Sequence, residues 1–358
     1  MRRGAGLDVL IVSLGSTEGL RQADEQLRGS LARAGARVTI AHARPPSPVR
    51  TLALTDLGWA RAARAAAAHA LAAQGGSTRA VIYSSTTAAL LWPRPGAIRF
   101  DATAAGNRPG RDGVWQRPLE RRRLAQAALL LPWSAGALDE APATARSGDR
   151  AIVLPAVVAP SGAPGPQAQP QLAAAGPAEP RDIAALTYAA NPHKKGLDRV
   201  LAAWHALRGA RARTGEELLV AGIDEQALRA SAAGQPLDGV RALGTLPPAD
   251  FRALLRRARA FVCAPRREDY GLAQLEALAD GCQLVTTPAR GPYAALPIAR
   301  ALDPRLVDCR LERALRAALD DPLPDYAERA RDALLPFTEA EADRIVLEEL
   351  LPRLLSPG

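Results

Sequence analysis

Short apolar runs alternate along the chain with longer segments of helical periodicity. Val9-Leu10-Ile11-Val12, Val38-Thr39-Ile40-Ala41-His42, Ala80-Val81-Ile82-Tyr83, Ala97-Ile98-Arg99-Phe100 and Ala128-Leu129-Leu130-Leu131 have the length and content of strands. Most lack the apolar–polar alternation of a half-exposed strand, so they suit a parallel sheet buried on both faces. Between them the pattern predicts a helix from about Leu20 to Ala34 stopped by Gly35, an Ala-rich helix over 57–73, and an Arg-rich helical segment from Trp115 to Leu124. The alternation resumes later with strands at Ile183–Tyr188, Leu218–Gly222, Val240–Gly244, Phe261–Ala264 and Leu284–Thr287. The intervening helices run to about Leu207, from Pro247-Pro248 with Phe251, Leu254 and Leu255 on one face, and over Leu272–Ala279. Thr338-Glu339-Ala340-Glu341 reads as a capping box for a last helix through Leu351. Strand and helix in strict succession specify an α/β fold with two parallel sheets.

The break between the two series is compositional. Residues 159–181 are rich in Pro, Gly, Gln and Ala, with six prolines, and read as a semi-extended interdomain linker. The expected organisation is a first Rossmann-like domain over 1–158, the linker over 159–181, a second over 182–336 and a closing helix over 337–358.

Composition narrows the class. Two lysines, Lys194 and Lys195, stand beside 44 arginines, a bias that reads as a GC-rich coding sequence and lowers the information in any single Arg. Three cysteines without metal-ligand spacing fit buried thiols in a reducing, cytoplasmic setting. Val9–Val12 is too short for the core of a signal peptide, and no run approaches the ~18 apolar residues of a membrane span. The net charge of +9 is uneven: residues 1–160 hold 21 Arg against 11 acidic residues, and the remainder is close to neutral. Nucleic acid, an anionic membrane surface or a phosphorylated substrate would each match that surplus, as would plain solubility. Sparse aromatics, 4% of residues, and the absence of a recognised motif argue against nucleic acid.

The most informative stretch is 261–287, FVCAPRREDYGLAQLEALADGCQLVTT. It is a strand, a charged loop, a helix with leucines at 272, 275 and 278, a glycine stop at Gly281 and the next strand. Glu268 falls in the loop at a strand's carboxyl end and Glu276 about one turn into the helix. The pair thus flanks a helix N-terminus whose free N–H groups suit a phosphate. Glu268-Asp269-Tyr270-Gly271-Leu272 through Glu276-Ala277-Leu278 resembles the E-x7-E signature of retaining glycosyltransferases of the GT-B type, family 4. The resemblance is strong over residues 183–300 and mainly architectural over 1–150.

That resemblance implies the GT-B fold, two Rossmann-like domains facing across a cleft, and a hexosyltransferase that needs no metal and no cofactor beyond its nucleotide-sugar donor. Glu276 would accept hydrogen bonds from the donor ribose. Lys195, followed by Gly196, and the backbone amides of Gly271 and Leu272 would meet the leaving diphosphate. Glu268 would face the donor sugar, and Gly15, in the loop after the first strand, would lie under the diphosphate. Backbone near Gly244-Thr245-Leu246 would contact the base, with Leu246 as the contact residue. The plainer readings are a solvated loop lysine and ordinary turn glycines.

Two positions depart from the family pattern. An Arg common five residues before the motif Lys is Ala190 here, so Arg266, Arg267 or His193 would have to replace it. A His near the end of the fourth strand is Asp101, which would act on donor or acceptor sugar or else cap a turn. The acceptor, a sugar, a lipid or a small molecule, is not specified. The basic cluster Arg117, Arg121, Arg122 and Arg123 leaves peripheral contact with the inner face of an anionic membrane as one reading. Two rivals remain: a GT-B enzyme using a sugar phosphate, and a catalytically degenerate scaffold that binds nucleotide-sugars.

Overall fold

The computed structural model describes residues 8–74, 78–146, 149–161, 180–210, 215–232 and 234–355. The chain folds into two compact units, Met1–Val157 with Pro336–Gly358, and Val158–Leu335. Each unit is built on a five-stranded, all-parallel sheet.

In the first unit β1 (Asp8–Ser13), β2 (Arg37–His42), β3 (Thr78–Tyr83), β4 (Ala97–Phe100) and β5 (Leu130–Pro132) lie in the order β2-β1-β3-β4-β5. Successive side chains enter opposite cores. Leu10, Val12, Val81, Tyr83, Ile98 and Phe100 pack on one side with Ala63 and Ala67 of the helix Leu52–Ala73. Val9, Ile11, Ile82 and Ala97 pack on the other with Leu27 and Leu31 of the helix Glu18–Arg33, and with Ile345, Val346 and Leu350 from the chain's last helical stretch. Both faces are covered, which is why these strands carry unbroken apolar runs. Thr17 caps the helix Glu18–Arg33 by accepting from the Leu20 N–H, and Arg33 pairs with Asp343 at 2.6 Å within the same unit.

The last strand sits two residues later than the apolar run Ala128–Leu131 indicates, because it lies at the sheet edge and includes Pro132. An edge strand tolerates a residue without an N–H, and the Pro132 carbonyl still accepts from Leu154 N at 2.9 Å. The final helix begins as expected, with Thr338 Oγ1 accepting from Glu341 N, and runs on past Leu351 to Leu355. It widens to a π turn over Val346–Leu350, just before Pro352, which has no N–H for the helical ladder.

Four arginines marked out by sequence as one basic cluster have different roles. Arg117 donates to the carbonyls of Arg108 and Gly110, and Arg123 donates to Leu90 O and lies over the Trp92 ring at 5.1 Å. Arg121 and Arg122 are exposed. Half of the cluster therefore ties down backbone and ring surfaces. No helix among the described residues is long and apolar enough to cross a membrane.

The second unit contains β6 (Ile183–Tyr188), β7 (Leu218–Ala221), β8 (Val240–Ala242), β9 (Ala258–Cys263) and β10 (Gln283–Thr286), in the order β10-β9-β6-β7-β8. The first strand of this unit therefore pairs on one side with its second and on the other with its fourth, so chain direction reverses at the β6–β9 neighbourhood. Such reversal points open a crevice at the carboxyl ends of the strands. β9 starts at Ala258, three residues before the apolar run Phe261–Ala264 begins. Arg259 interrupts the pattern but is accommodated by Glu216 at 3.2 Å and the Leu319 carbonyl at 2.8 Å.

Residues 162–179, most of the expected linker, lie outside the described residues. The described residues on either side dock at one place within the second unit. Ser161 donates through N and Oγ to Asp280 Oδ1 at 2.7 and 2.8 Å, and Arg181 donates to the Asp280 carbonyl at 2.6 Å. Asp280 ends the helix Leu272–Ala279, whose terminal carbonyls favour a cation.

Trp204 is the largest fully buried side chain of this unit, and its indole N–H donates to Gly239 O at 3.1 Å. Trp204→Ala should destabilise the second unit by about 3–5 kcal/mol, measured as a lowered urea midpoint by far-UV circular dichroism. An unchanged midpoint would contradict this packing.

Candidate functional site

The carboxyl ends of β6 and β9 bring together two loops far apart in sequence. After β6, Asn191 caps a single helical turn, Pro192–Lys195, by accepting from the Lys194 N–H. Gly196 then takes a left-handed conformation, φ +66°, before the helix Leu197–Ala210. A Cβ at Gly196 would stand 1.9 Å from the carbonyl oxygen of Ala264, the residue after β9. Only glycine lets the two loops approach this closely. The expected helix after β6 is thus split at Gly196, and the split turns Lys195 toward the β9 loop.

There Lys195 meets Glu268. The Lys195 Nζ lies 3.0 Å from Oε1 and 2.8 Å from Oε2 of Glu268. The Glu268 side chain is 6% exposed and that of Lys195 21%. Gln274 Nε2 donates to the same Oε2 at 2.9 Å, and the Glu268 N–H donates to Arg290 O at 2.9 Å. A carboxylate buried to this degree is stable only when paired and hydrogen-bonded, and here both conditions are met.

Below the pair runs a buried polar chain. Gln274 Nε2 also approaches Cys263 Sγ at 3.7 Å, and Cys263 and Tyr293 both bond to Thr286 Oγ1, at 3.3 and 3.1 Å. Burial raises the Cys263 thiol and the Tyr293 phenol, so both stay protonated at neutral pH. Gly271, φ +91°, opens the helix Leu272–Ala279, and a Cβ there would meet the Tyr293 ring at 2.8 Å. No side chain caps this helix, so the N–H groups of its first turn remain available. Gly271 and Leu272 thus lie beside Glu268, at the end of a helix that favours anions.

The neighbouring charges are arranged in pairs. Lys194 binds Asp269 at 2.7 Å, and Arg267 binds the other Asp269 oxygen at 2.8 Å. Burial raises the Asp269 carboxyl, but the two cations outweigh it and hold the group below its usual value. Arg266 is drawn aside to Asp198, at 3.0 and 2.8 Å, and to the His193 carbonyl at 2.7 Å. Of the three residues considered as substitutes for an Arg at position 190, two guanidiniums are therefore already ion-paired, and the His193 side chain is exposed.

Glu276 projects from the same helix one turn on, 18% exposed, with Arg252 Nη1 at 3.8 Å. Burial pushes its carboxyl up to about 7, with Arg252 opposing the shift and Asp280 adding to it. Arg252 is held in turn by Asp280 at 2.6 Å. Leu246 is half-buried in the loop after β8, at the same edge of the sheet. A cavity of about 640 Å³ opens on another flank of the β9 loop, lined by Pro265, Arg266, Thr287 and Arg290 but not by Glu268 or Lys195. Among the described residues no His, Cys, Asp or Glu cluster is arranged to hold a metal ion.

Gly15 and Asp101 belong to the first unit. Gly15, φ +55°, follows β1, and its carbonyl accepts from Arg21 at 2.7 Å. Asp101 is half-buried directly after β4, and the N-cap of the next short helix is Thr103 rather than Asp101.

Arg252 and Gln274 were not singled out by the sequence. Arg252 is one arginine among 44 and adjoins an apolar face. Gln274 carried a usable signal, since it is a polar residue beside Leu275 on the buried side of its helix, 2% exposed.

The chain's relatives agree with this geometry. Residues 182–321 match the family described as Glycosyl transferases group 1. A search of curated protein sequences returns no significant match. Among solved structures, the chain is similar to WaaG, a glycosyltransferase involved in lipopolysaccharide biosynthesis, with 18% identity, a TM-score of 0.67, and 95% of this chain and 99% of that one covered. It is similar to sucrose-phosphate synthase from Thermosynechococcus elongatus, with 15% identity, a TM-score of 0.67 and 98% and 99% coverage. It is also similar to HepE from Anabaena in complex with UDP and glucose, with 13% identity, a TM-score of 0.68 and 96% and 99% coverage. At these identities the structural likeness is one of fold, the two-domain GT-B architecture. The family match over 182–321 makes this part of the chain a group 1 glycosyltransferase domain, and the protein an enzyme of that class.

One consequence follows from Glu276. Its folded value, about 7, lies above the unfolded value of 4.5, so the folded state holds this proton more tightly. Its ionisation is a penalty that is absent below pH 4.5, grows as pH rises to 7, and is complete above that. The difference in stability between wild type and Glu276→Gln should therefore change through this window and level off on either side. Chemical denaturation at a series of pH values measures it, and a flat difference would contradict the burial of the carboxyl.

Proposed function

We propose that the protein transfers a sugar, with retention of anomeric configuration, from a nucleotide-sugar donor to an acceptor hydroxyl. The observation that carries this reading is the buried Lys195–Glu268 pair at the reversal point of the second sheet, beside an uncapped helix N-terminus and eight positions before Glu276. The group 1 match over the same residues, and the UDP and UDP-glucose complexes of HepE, support it.

Transfer breaks the bond between the anomeric carbon and the diphosphate oxygen and forms one to the acceptor oxygen. The acceptor proton leaves with the diphosphate. Negative charge therefore grows on the diphosphate, and the groups suited to meet it are the Lys195 ammonium and the free N–H groups at Gly271 and Leu272. Glu268, fixed by Lys195 and Gln274, is an acceptor for the donor sugar's hydroxyls. Glu276 is an acceptor for the ribose hydroxyls, which would repay part of the cost of its burial. In the first unit, Gly15 is assigned to the diphosphate and Asp101 to a sugar hydroxyl. Leu246 is assigned to the base. The acceptor side and any membrane contact rest on the exposed Arg121 and Arg122 rather than on the whole basic cluster.

Calorimetry with UDP and an assay of donor turnover separate these roles. Glu276→Ala removes a charge-assisted contact of about 1.5–3 kcal/mol, so UDP affinity should fall about ten- to a hundredfold. Wild-type affinity in the folded variant would overturn the site. Lys195→Ala should reduce turnover more than UDP affinity, because the charge it meets is greatest in the transition state. An equal loss in both would assign Lys195 to ground-state binding alone.

A further inference from the structure

The first unit contains a buried carboxylate that the proposed chemistry does not use. Glu120, on the helix Gln116–Gln126, is 3% exposed. Its Oε1 accepts from the Ala104 N–H at 2.8 Å, at the start of the short helix that follows β4. Its Oε2 has no hydrogen-bond partner. Burial pushes the carboxyl up to about 7, opposed by contacts to Thr86, Ala104 and Arg108. A buried oxygen without a donor is costly, and this residue is not needed as a helix-face filler, so the unmatched oxygen calls for a ligand.

The surroundings indicate which ligand. Glu120 lines a cavity of about 370 Å³, bounded by the segments that follow β4 and β5. Thr103, Arg117, Arg121, Glu140 and Thr144 line it as well. Glu140 Oε2 lies 3.4 Å from the Thr103 N–H, and the Arg117 guanidinium is tethered by the carbonyls of Arg108 and Gly110. Arg121 is exposed and makes no ion pair among the described residues. Two carboxylates face two guanidiniums, so the formal charges of the lining cancel. An anion would be opposed by Glu120 and Glu140, and an amine by Arg117 and Arg121. A neutral compound bearing adjacent hydroxyls meets both sets, donating to the carboxylates and accepting from the guanidiniums. The size is that of a small-ligand site.

We infer that the Glu120–Glu140–Arg121 cavity of the first unit binds a neutral polyhydroxylated ligand, a sugar or cyclitol, through its vicinal hydroxyls. It rests on the glycosyltransferase reading only in that this ligand would be the acceptor or its terminal ring.

The test uses the full chain and four probes: methyl α-D-glucopyranoside, methyl α-D-mannopyranoside, methyl β-D-galactopyranoside and myo-inositol. Saturation-transfer NMR, with and without UDP, reports binding of each. At least one should bind saturably, and Glu120→Gln, Glu140→Ala and Arg121→Ala should each weaken it about tenfold or more while UDP affinity stays at the wild-type value. Glu140 and Arg121 lie at the accessible side of the cavity, so their variants keep the test decisive if Glu120→Gln fails to fold. Binding of UDP but of none of the four probes would overturn the cavity and leave the donor site standing. Probe binding that is indifferent to Glu140→Ala and Arg121→Ala would place the ligand elsewhere and also overturn it. Probe binding lost in these variants, in a protein that does not bind UDP, would uphold the cavity and overturn the donor reading instead.

Discussion

The second unit depends on a carboxylate that cannot be buried alone. Glu268 sits almost out of water, and the group that makes this tolerable, the Lys195 ammonium, is 73 residues away in sequence. Removing one partner of such a pair leaves an uncompensated charge at a cost of about 3–5 kcal/mol. The contact exists because β6 and β9 are neighbours, in the register Ile183↔Ala258, Ala185↔Ala260 and Leu186↔Phe261. Everything that lets the two loops meet then becomes a requirement of the site: the left-handed turn at Gly196, its close approach to Ala264, and the Gly271 turn against the Tyr293 ring.

The two acidic residues of the motif end up in different electrostatic situations. Glu268 is held by a cation and an amide within hydrogen-bond distance. Glu276 has a cation only at 3.8 Å, and that cation is shared with Asp280. Desolvation therefore dominates at Glu276, whose carboxyl rises to about 7. Identical side chains eight positions apart are thus made into a fixed, charged acceptor and an under-compensated one that gains from hydroxyl donors. Sequence spacing alone makes no such distinction.

Arginine shows why composition was a poor guide to charge in this chain. Many guanidiniums serve as donors to backbone carbonyls: Arg94 to Thr78 O, Arg150 to Ala127 O, Arg181 to the Asp280 carbonyl. Arg99, 2% exposed, reaches Ala23 O and lies over the Trp133 ring at 4.7 Å. A planar, five-donor cation is suited to loop carbonyls in a way lysine is not. The +10 surplus of residues 1–160 is therefore partly internal structure, and only the exposed remainder is presented to partners.

The sequence by itself determined what depends on near neighbours. The ten strands, the helix Leu272–Ala279 to the residue, the stops at Gly35 and Gly281 and the Thr338 cap were all legible, because periodicity and capping act over a few residues. The motif residues Glu268, Gly271, Leu272 and Glu276 were legible for the same reason, as one strand–loop–helix segment. Only the tertiary structure decided the strand order β10-β9-β6-β7-β8, and with it that Lys195 binds Glu268 while Lys194, one residue away, binds Asp269. It likewise decided that Arg266 turns to Asp198, that Arg259 can sit inside a strand, and that Gln274 supports a carboxylate. These outcomes turn on desolvation and on contacts between distant segments. Desolvation follows from how completely a side chain is enclosed, and that enclosure is a property of the packed sheet and not of any local run of residues.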